Sequence, residues 1–268
     1  MRRRFFVERF EGNTAILRGE SAHHLGRVLR AEAGQIYELS DGASVWLART
    51  ENVGREEVEF SLIECLPVHA APVRIALLLA VVKFDRFEWA IEKATELGVD
   101  EVMPLAADRS EKGLLAAVAK RAQRWQRILA ESAQQARRLR VPVLRECATS
   151  AKAFREAQAL GRHQIQLLLS ERGGASPMRD LLEPAAAGIV ADEPANVAIA
   201  IGPEGGWTDA EFSAAKSAGF EEAALGMNIL RTETAVCAAL AAVQYAFGAF
   251  RPGGESMQAA NEDREGKP

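Results

Sequence analysis

The chain has 268 residues, 48% of them apolar, which is enough for one large folded domain or two modest ones. Its longest apolar run, residues 75–82, is far shorter than the roughly 20 residues that a membrane-spanning helix needs. The apolar stretch after the N-terminal arginines, residues 5–7, is too short for a signal peptide. We therefore expect a globular protein that is neither secreted nor embedded in a membrane.

Three cysteines, Cys65, Cys147 and Cys237, lack CxxC spacing and a histidine partner, which argues against a zinc site and a disulfide framework. We expect buried, reduced cysteines, a cytoplasmic location and no metal. The formal net charge is -4, but residues 120–140 carry seven cationic side chains and one acidic side chain. Screening makes such local clustering more important than the sum, so a basic surface is expected there.

Residues 1–68 hold short apolar segments separated by turn formers, a pattern typical of a small β domain. The predicted strands are 35–39, 45–48 and 58–63. Residues 21–30 interrupt this pattern and predict a short helix capped by Ser21, with Leu25, Val28 and Leu29 on its apolar side.

After a break near Pro67, apolar segments alternate with helical ones, which predicts an α/β fold with a parallel sheet covered on both faces. The predicted strands are 73–82, 99–105, 141–144, 165–169, 197–201 and 223–225. The expected domains are 1–70 and 71–250, followed by a disordered tail at 251–268, where apolar periodicity is lost.

Two helices carry clear boundary signals. Apolar residues recur at helical spacing over 85–97, and Gly98 follows as a C-terminal stop. Thr208 and Glu211 have the T-x-x-E spacing of a capping box, and Gly219 is expected to end that helix. The segment between residues 201 and 208 is therefore held between the end of a strand and the start of a helix.

Three glycine-bearing loops follow three of the predicted strands. Residues 199–207 read IAIGPEGGW, residues 225–226 lead into an alanine-rich helix with Thr232 as its expected cap, and residues 165–169 lead into 170–174. Glycine lets a ligand approach bare backbone, and ligands of α/β proteins bind at the carboxyl ends of strands. We expect the loops to converge on one cleft; the alternative is glycine required for turn geometry alone.

The segments GPEGG at 202–206 and LGMNILRTETA at 225–235, with KFDR at 83–86 and KATELG at 93–98, resemble the ribosomal RNA small subunit methyltransferase E family. The resemblance extends from residue 5 to about residue 248. It implies methylation of N3 of a uridine in 16S rRNA by S-adenosylmethionine (SAM). It also implies a SPOUT catalytic domain with a C-terminal trefoil knot, an N-terminal PUA-like β-barrel and a homodimer, with rRNA in the assembled small subunit as the favoured partner.

The resemblance further implies that the three loops bind SAM. Carried over by motif, the contacts are Leu169, Ile201, Gly202, Gly205, Leu225, Gly226, Ile229, Leu230 and Arg231.

Methylation of a uridine requires that N3 lose its proton, so the site needs a group that stabilises negative charge or accepts that proton. Arg231 is the candidate for charge stabilisation because its guanidinium is planar and permanently charged. The alternative is an arginine that binds a carboxylate at a helix start. Glu204 and Glu233 are candidate proton acceptors, although a glutamate in a first helical turn also interacts favourably with the helix dipole.

Arg121, Arg124 and Arg127 recur every three residues on a predicted helix, with Trp125 beside them. Such a stripe binds RNA phosphates or forms an ordinary solvated face. The further phosphate-binding candidates are Arg4, Arg9, Arg27, Arg30, Lys83 and Arg86. Alanines of the final helix form either the dimer contact or an intramolecular one, and the resemblance favours the dimer.

Other classes of protein are alternatives to this family. A dinucleotide-dependent oxidoreductase or an open Rossmann-type methyltransferase is disfavoured because no G-x-G-x-x-G follows the first strand and the glycine loop lies late in the chain. A noncatalytic RNA-binding protein is discriminated by a test for SAM binding. A SPOUT enzyme that acts on transfer RNA shares the fold and requires substrate assays.

Overall fold

The computed structural model describes residues 3–159, 165–187 and 194–248, so the tail expected at 251–268 lies outside this part of the chain. Two sheets organise the molecule. The N-terminal sheet contains β1 (Arg4–Phe6), β2 (Phe10–Glu11), β3 (Thr14–Arg18), β4 (Ile36–Ser40), β5 (Val45–Val53) and β6 (Glu57–Leu66).

The strands of the N-terminal sheet lie in the order β1-β4-β5-β6-β3-β2, with β1 parallel to β4 and the other pairs antiparallel. Phe5, Leu17, Leu39 and Phe60 fill its core. The described pairings leave β1 and β2 at the two edges, so this is an open sheet. The three predicted strands correspond to β4, β5 and β6. Strands β1, β2 and β3 were not predicted, and β1 and β2 are too short to show a strand periodicity.

A short helix follows β3. Helix α1 (Gly19–His23) continues directly into one π-helical turn at His24–Val28. The expected cap at Ser21 is wrong, because the N-cap is Arg18 and no side chain caps this end. Leu25 is buried as predicted, but Val28 is exposed because the wider π turn rotates it away from the core.

The second sheet confirms the predicted α/β architecture, since every described pair of its strands is parallel. Its main order is β10-β8-β7-β13-β11-β14-β12, and β9 also pairs with β8. The strands are β7 (Val73–Ala80), β8 (Glu101–Ala106), β9 (Val143–Leu144), β10 (Ala148–Thr149), β11 (Ile165–Leu169), β12 (Ser176–Pro177), β13 (Ala195–Ile201) and β14 (Glu221–Ala224).

Helices cover both faces of this sheet, as the alternation predicted. They are α2 (Phe84–Glu96), α3 (Lys112–Gln135), α4 (Ser150–Ala159), α5 (Met178–Ala187), α6 (Asp209–Ser217) and α7 (Thr232–Ala246). Leu77 and Leu79 of β7 face the cluster that includes Phe87 of α2, whereas Leu78 faces the cluster that includes Phe154 of α4. This alternation buries β7 on both sides.

The predicted boundaries of α2 and α6 are confirmed. Gly98 follows the C-cap of α2 with a φ of 94°, the left-handed conformation typical of a helix end. Thr208 and Glu211 form the predicted capping box at the start of α6, and Gly219 follows its end. Trp125 of α3 is 1% exposed, and the centroid of its ring lies 4.4 Å from the ring centroid of Phe87, so Trp125 belongs to the core.

The expectation that the cysteines are buried is wrong. Cys65 and Cys147 are exposed, and Cys237 is half-buried on α7. Cys65 lies near the outward-facing end of β6, and Cys147 lies in the connection before β10, so neither reaches a core.

The two sheets are joined by hydrogen bonds to the chain that follows α3. The Ser40 hydroxyl donates to the Leu139 carbonyl at 2.7 Å, and Arg4 Nη1 donates to the Arg137 carbonyl at 2.6 Å. These contacts anchor β1 and β4 of the N-terminal sheet beside the second sheet. None of the helices in the described ranges combines the length and the hydrophobicity of a transmembrane span.

Candidate active site

Three loops meet at one edge of the second sheet, where the neighbouring strands β13, β11 and β14 end. They contribute residues 169–172, 201–207 and 225–230 to the wall of a cavity of about 300 Å³. This volume is at the small end of the range for ligand sites. The structure therefore brings together the three loops that the glycine pattern singled out.

Of the nine residues predicted to bind the cofactor, eight line this cavity. They are Leu169, Ile201, Gly202, Gly205, Leu225, Gly226, Ile229 and Leu230. Arg231 is outside this lining; it is the N-cap of α7 and is exposed. The wall therefore combines apolar side chains with glycine backbone.

The glycine loop approaches an indole ring closely. A Cβ on Gly202 would lie 2.9 Å from Cε2 of Trp207, so only glycine fits without displacing the ring. The Trp207 Nε1–H donates to the Leu169 carbonyl at 3.0 Å and thereby joins this loop to the end of β11. Sequence reasoning placed Trp207 at the end of the loop but did not anticipate this contact.

The prediction that Thr232 caps α7 is wrong, because Arg231 occupies the N-cap and no side chain caps this end. Thr232 is instead the first residue of the helix, and its hydroxyl donates to the Gly202 carbonyl at 3.2 Å. The hydroxyl therefore links the start of α7 to the glycine loop.

A buried carboxylate fixes the far end of the glycine loop. Glu211 is 4% exposed, and its Oε1 accepts from the Asp108 N–H at 3.0 Å and from the Ser150 hydroxyl at 2.7 Å. Its Oε2 accepts from the Thr208 N–H at 2.9 Å. One side chain thus connects the loop to the segment after β8 and to the start of α4. The sequence identified the capping box but gave no indication of the other two partners.

Arg109 contacts the glycine loop from the segment that follows β8. Its Nη1 donates to the Gly205 carbonyl at 2.7 Å, and its side chain lines the cavity. A Cβ on Gly205 would lie 3.3 Å from the Cβ of Arg109. Gly206 has a φ of 70°, which strains other residues, and therefore completes a turn built for glycine.

The catalytic candidates are placed differently from one another. Glu204 lines the cavity and forms an ion pair with Arg86, which the sequence predicted as an RNA contact. Glu233 lies outside the cavity lining, and its Oε2 is buried without a hydrogen-bond partner among the described residues. Of Arg231, Glu204 and Glu233, only Glu204 contributes to the wall.

The arginine stripe on α3 already carries carboxylate partners. Arg121 and Arg124 both contact Glu88, at 3.4 and 2.8 Å, and Arg127 contacts Glu20 at 3.0 Å. The hydrogen bond to Glu20 raises the pKa of Arg127. The stripe thus forms ion pairs with α2 and α1, which lowers its net charge.

The remaining basic candidates divide into two groups. Arg4 binds Glu38 at 2.9 Å with a side chain only 15% exposed, so its donors are used inside the protein. Arg9 pairs with Glu11 at 2.6 Å, and Arg27 lies 3.4 Å from a ring nitrogen of His23. Arg30 and Lys83 are exposed, and neither has an ion-pair partner in the described part of the chain.

Comparison with known proteins places the second sheet in a class of protein. A family model described as an RNA methyltransferase domain matches residues 69–244, which include the whole second sheet and the three loops. This match, together with the parallel sheet and the cavity at the ends of its strands, places the protein in the class of RNA methyltransferases.

Individual relatives specify the family. The chain is 33% identical over 232 residues to the ribosomal RNA small subunit methyltransferase E of Synechocystis sp., covering 86% of this chain and 72% of the relative. It is 30% identical over 252 residues to the Bacillus subtilis protein of that name, covering 90% and 96%. The chain therefore belongs to the ribosomal RNA small subunit methyltransferase E family.

Solved structures agree with this assignment. A Legionella pneumophila methyltransferase in complex with the bound cofactor SAM superposes with a TM-score of 0.78 at 30% identity, covering 92% of this chain and 98% of that one. The Neisseria gonorrhoeae ribosomal RNA small subunit methyltransferase E bound to S-adenosyl methionine gives 0.77 at 28%, covering 94% and 100%.

Proposed function

We propose that this protein transfers the methyl group of SAM to N3 of a uridine in 16S rRNA, with the assembled small ribosomal subunit in the cytoplasm as its substrate. The observation that carries the proposal is the convergence of three glycine-bearing loops on one cavity of about 300 Å³. Membership of the family and the SAM-bound structures of its relatives support the choice of cofactor.

The residues of the cavity fit SAM. Ile201, Leu225 and Leu230 offer apolar surfaces for the faces of an adenine ring, and Gly202 and Gly205 contribute backbone without side chains to the wall. Glycine lets a ligand approach the backbone, whose N–H and C=O groups suit the polar edges of a nucleoside. When bound, SAM supplies an electrophilic methyl group on a positively charged sulfur.

The main contribution of the protein to catalysis in this proposal is to align the two reactants. Holding the acceptor nitrogen in line with the methyl carbon contributes up to roughly 7–11 kcal/mol to catalysis. N3 forms a bond to the methyl carbon while the carbon–sulfur bond breaks, leaving its electron pair on sulfur, and the N3 proton passes to a base or to water. Glu204 is the acceptor we favour over Glu233, because only Glu204 lines the cavity. Arg231 remains a candidate for contact with the RNA outside the cavity wall.

The basic residues on the surface complete the substrate site in this proposal. We assign residues 1–70 as a PUA-like RNA-binding domain and 71–250 as the SPOUT catalytic domain with its trefoil knot. Arg30 and Lys83 are the strongest phosphate contacts, because their charges lack partners among the described residues. Arg9, Arg27, Arg86 and the α3 stripe must exchange their present partners for phosphates, and Arg4 is the weakest candidate.

A homodimer also belongs to this proposal. Two large side chains on the neighbouring helices α7 and α2 are solvent-exposed, Tyr245 at 82% and Trp89 at 45%. Such apolar surface favours a protein contact. Ala235 and Ala239, in contrast, are buried within the subunit, so only part of the alanine surface of α7 is available to a partner.

The proposal is tested by transfer of labelled methyl from SAM to small subunits that lack 3-methyluridine. The wild type is compared with Gly202→Ala, whose added Cβ would lie 2.9 Å from Trp207, and with the control Gly113→Ala, whose nearest neighbour would be 3.8 Å away. We expect transfer by the wild type and the control and a large loss in Gly202→Ala.

Other outcomes identify the alternatives. SAM binding without transfer to subunits or free rRNA, together with transfer to transfer RNA, would contradict the proposed substrate. Absence of SAM binding by calorimetry would contradict the enzyme itself and favour a noncatalytic RNA-binding protein.

A further inference from the structure

Two cations line the cavity, and they differ in how their charge is compensated. Arg172 lies 3.5 Å above the ring of Phe212 and forms an ion pair with Asp209. Arg109 makes one hydrogen bond, to the Gly205 carbonyl, and forms no ion pair with a carboxylate in the described part of the chain. Arg109 is therefore the lining residue whose positive charge is available to a ligand.

The position of this guanidinium is set by the glycine loop. A Cβ added to Gly205 would lie 3.3 Å from the Cβ of Arg109 and 3.4 Å from its Cδ, so the aliphatic stem packs directly on the loop. Nη1 of Arg109 and Oε1 of Glu171 each lie 3.8 Å from the point that a Cβ on Gly206 would occupy, but the two side chains form no ion pair. The hydrogen bond to Gly205 uses one of the five N–H donors and leaves the others for a ligand.

We propose that Arg109 is a catalytic residue that binds a carbonyl oxygen of the target uracil as N3 loses its proton. Loss of that proton spreads negative charge over the two carbonyl oxygens that flank N3. A permanently charged, planar donor already fixed at the wall stabilises this charge without reorganisation. Arg109 neither gains nor loses a proton; the N3 proton passes to Glu204 or to water. This role rests on the proposed uridine methylation.

Two other roles for Arg109 lead to different measurements. If the guanidinium bound a phosphate, its removal would raise the KM for subunits and weaken the salt dependence of that KM. If Arg109 only positioned the Gly205 loop, its removal would weaken SAM binding. If Arg109 stabilises a uracil anion, its removal makes N3 of the bound uridine less acidic and shifts the pH dependence of the rate, which neither of the other roles does.

The test compares Arg109→Met and Arg109→Lys with the wild type. Methionine keeps much of the aliphatic stem that packs on Gly205, and lysine keeps the charge without the fork. Single-turnover methyl transfer to small subunits is measured across pH at saturating SAM and subunits, and SAM affinity is measured by calorimetry. Arg179→Met, which removes an exposed arginine on α5, serves as the control.

We expect Arg109→Met to slow transfer by roughly 10²–10³-fold, as removal of an oxyanion donor does in other enzymes. Its rise in rate with pH is expected at higher pH than in the wild type, with SAM affinity unchanged and part of the rate restored in Arg109→Lys. An unshifted pH profile, or a loss of SAM affinity that accounts for the slower rate, would overturn the role. Absence of uridine methylation by the wild type would instead overturn the proposed function.

Discussion

Glu211 and Asp108 are joined by a hydrogen bond of 3.0 Å from the Asp108 N–H to the Glu211 carboxylate. The bond ties the first turn of α6 to the segment after β8, although the two residues are 103 positions apart in the chain. The next residue, Arg109, contacts Gly205, so the hydrogen bond of Glu211 lies one residue from a side chain of the cavity wall.

Replacement of Glu211 by Gln is expected to destabilise the protein by about 1.5–3 kcal/mol, the range for hydrogen bonds to charged groups. An amide keeps one acceptor oxygen but turns an NH₂ group toward a donor. The free energy of unfolding is measured by urea denaturation. Glu156→Gln, which removes an exposed partner of Lys152, is the control and is expected to cost under about 0.5 kcal/mol. Equal effects of the two substitutions would contradict the role of the Glu211 network.

Trp207→Phe is expected to weaken SAM binding with only a modest loss of stability. Phenylalanine keeps an aromatic ring beside Gly202 but lacks the N–H that donates to the Leu169 carbonyl, a bond worth roughly 0.5–1.5 kcal/mol. Calorimetry reports the SAM affinity and thermal melting the stability. Trp46→Phe in the N-terminal sheet is the matched control. If Trp46→Phe lost as much SAM affinity as Trp207→Phe, the hydrogen bond from Trp207 to Leu169 would not explain the weaker binding.

Cys237 is expected to react slowly with an alkylating reagent at neutral pH. Burial raises the pKa of its thiol, and only the thiolate is nucleophilic. The thiol therefore stays protonated over a wider range, and its rate of modification rises at higher pH than that of an unstructured cysteine peptide. Mass spectrometry after timed alkylation in the folded protein measures both profiles. Coincident profiles would show that the thiol is not shielded.

Arg30 and Arg4 are expected to respond in opposite ways to replacement by alanine. Arg30 is exposed, so its loss should weaken RNA binding, lower the salt slope by about one unit and leave stability unchanged. Arg4 bridges Glu38 and the Arg137 carbonyl, so its loss should reduce stability and leave the salt slope unchanged. Filter binding to rRNA at several salt concentrations, beside thermal melting, separates the two. An unchanged slope in Arg30→Ala would remove that residue from the proposed RNA site.

Local signals in the sequence predicted the edges of the cavity well. The strand predicted at residues 165–169 matches β11 in full, and the T-x-x-E spacing marks the start of α6. Parallel strands end at the same edge of a sheet, so three glycine-bearing loops after three strands were expected to meet there.

Contacts between distant segments were beyond such reasoning. Arg109 and Gly205 are 96 positions apart in the chain, and they meet because they follow β8 and β13, which both neighbour β7 in the sheet. The order of strands in a sheet cannot be predicted from local sequence patterns. The favourable intrinsic tendency of threonine to cap a helix suggested Thr232 as a cap, but the Gly202 carbonyl accepts its hydroxyl instead. The π-helical turn after α1 likewise lacked a periodic signal.

The most direct test of the central claim is the chemical identity of the product. Small subunits that lack 3-methyluridine are incubated with the protein and SAM, their RNA is digested to nucleosides, and the methylated nucleoside is identified by mass spectrometry against synthetic standards. We predict 3-methyluridine, formed once per subunit by the wild type and greatly reduced with Gly202→Ala. A methyl group on another base, on ribose or on a different ring position, or no product at all, would contradict the proposed reaction.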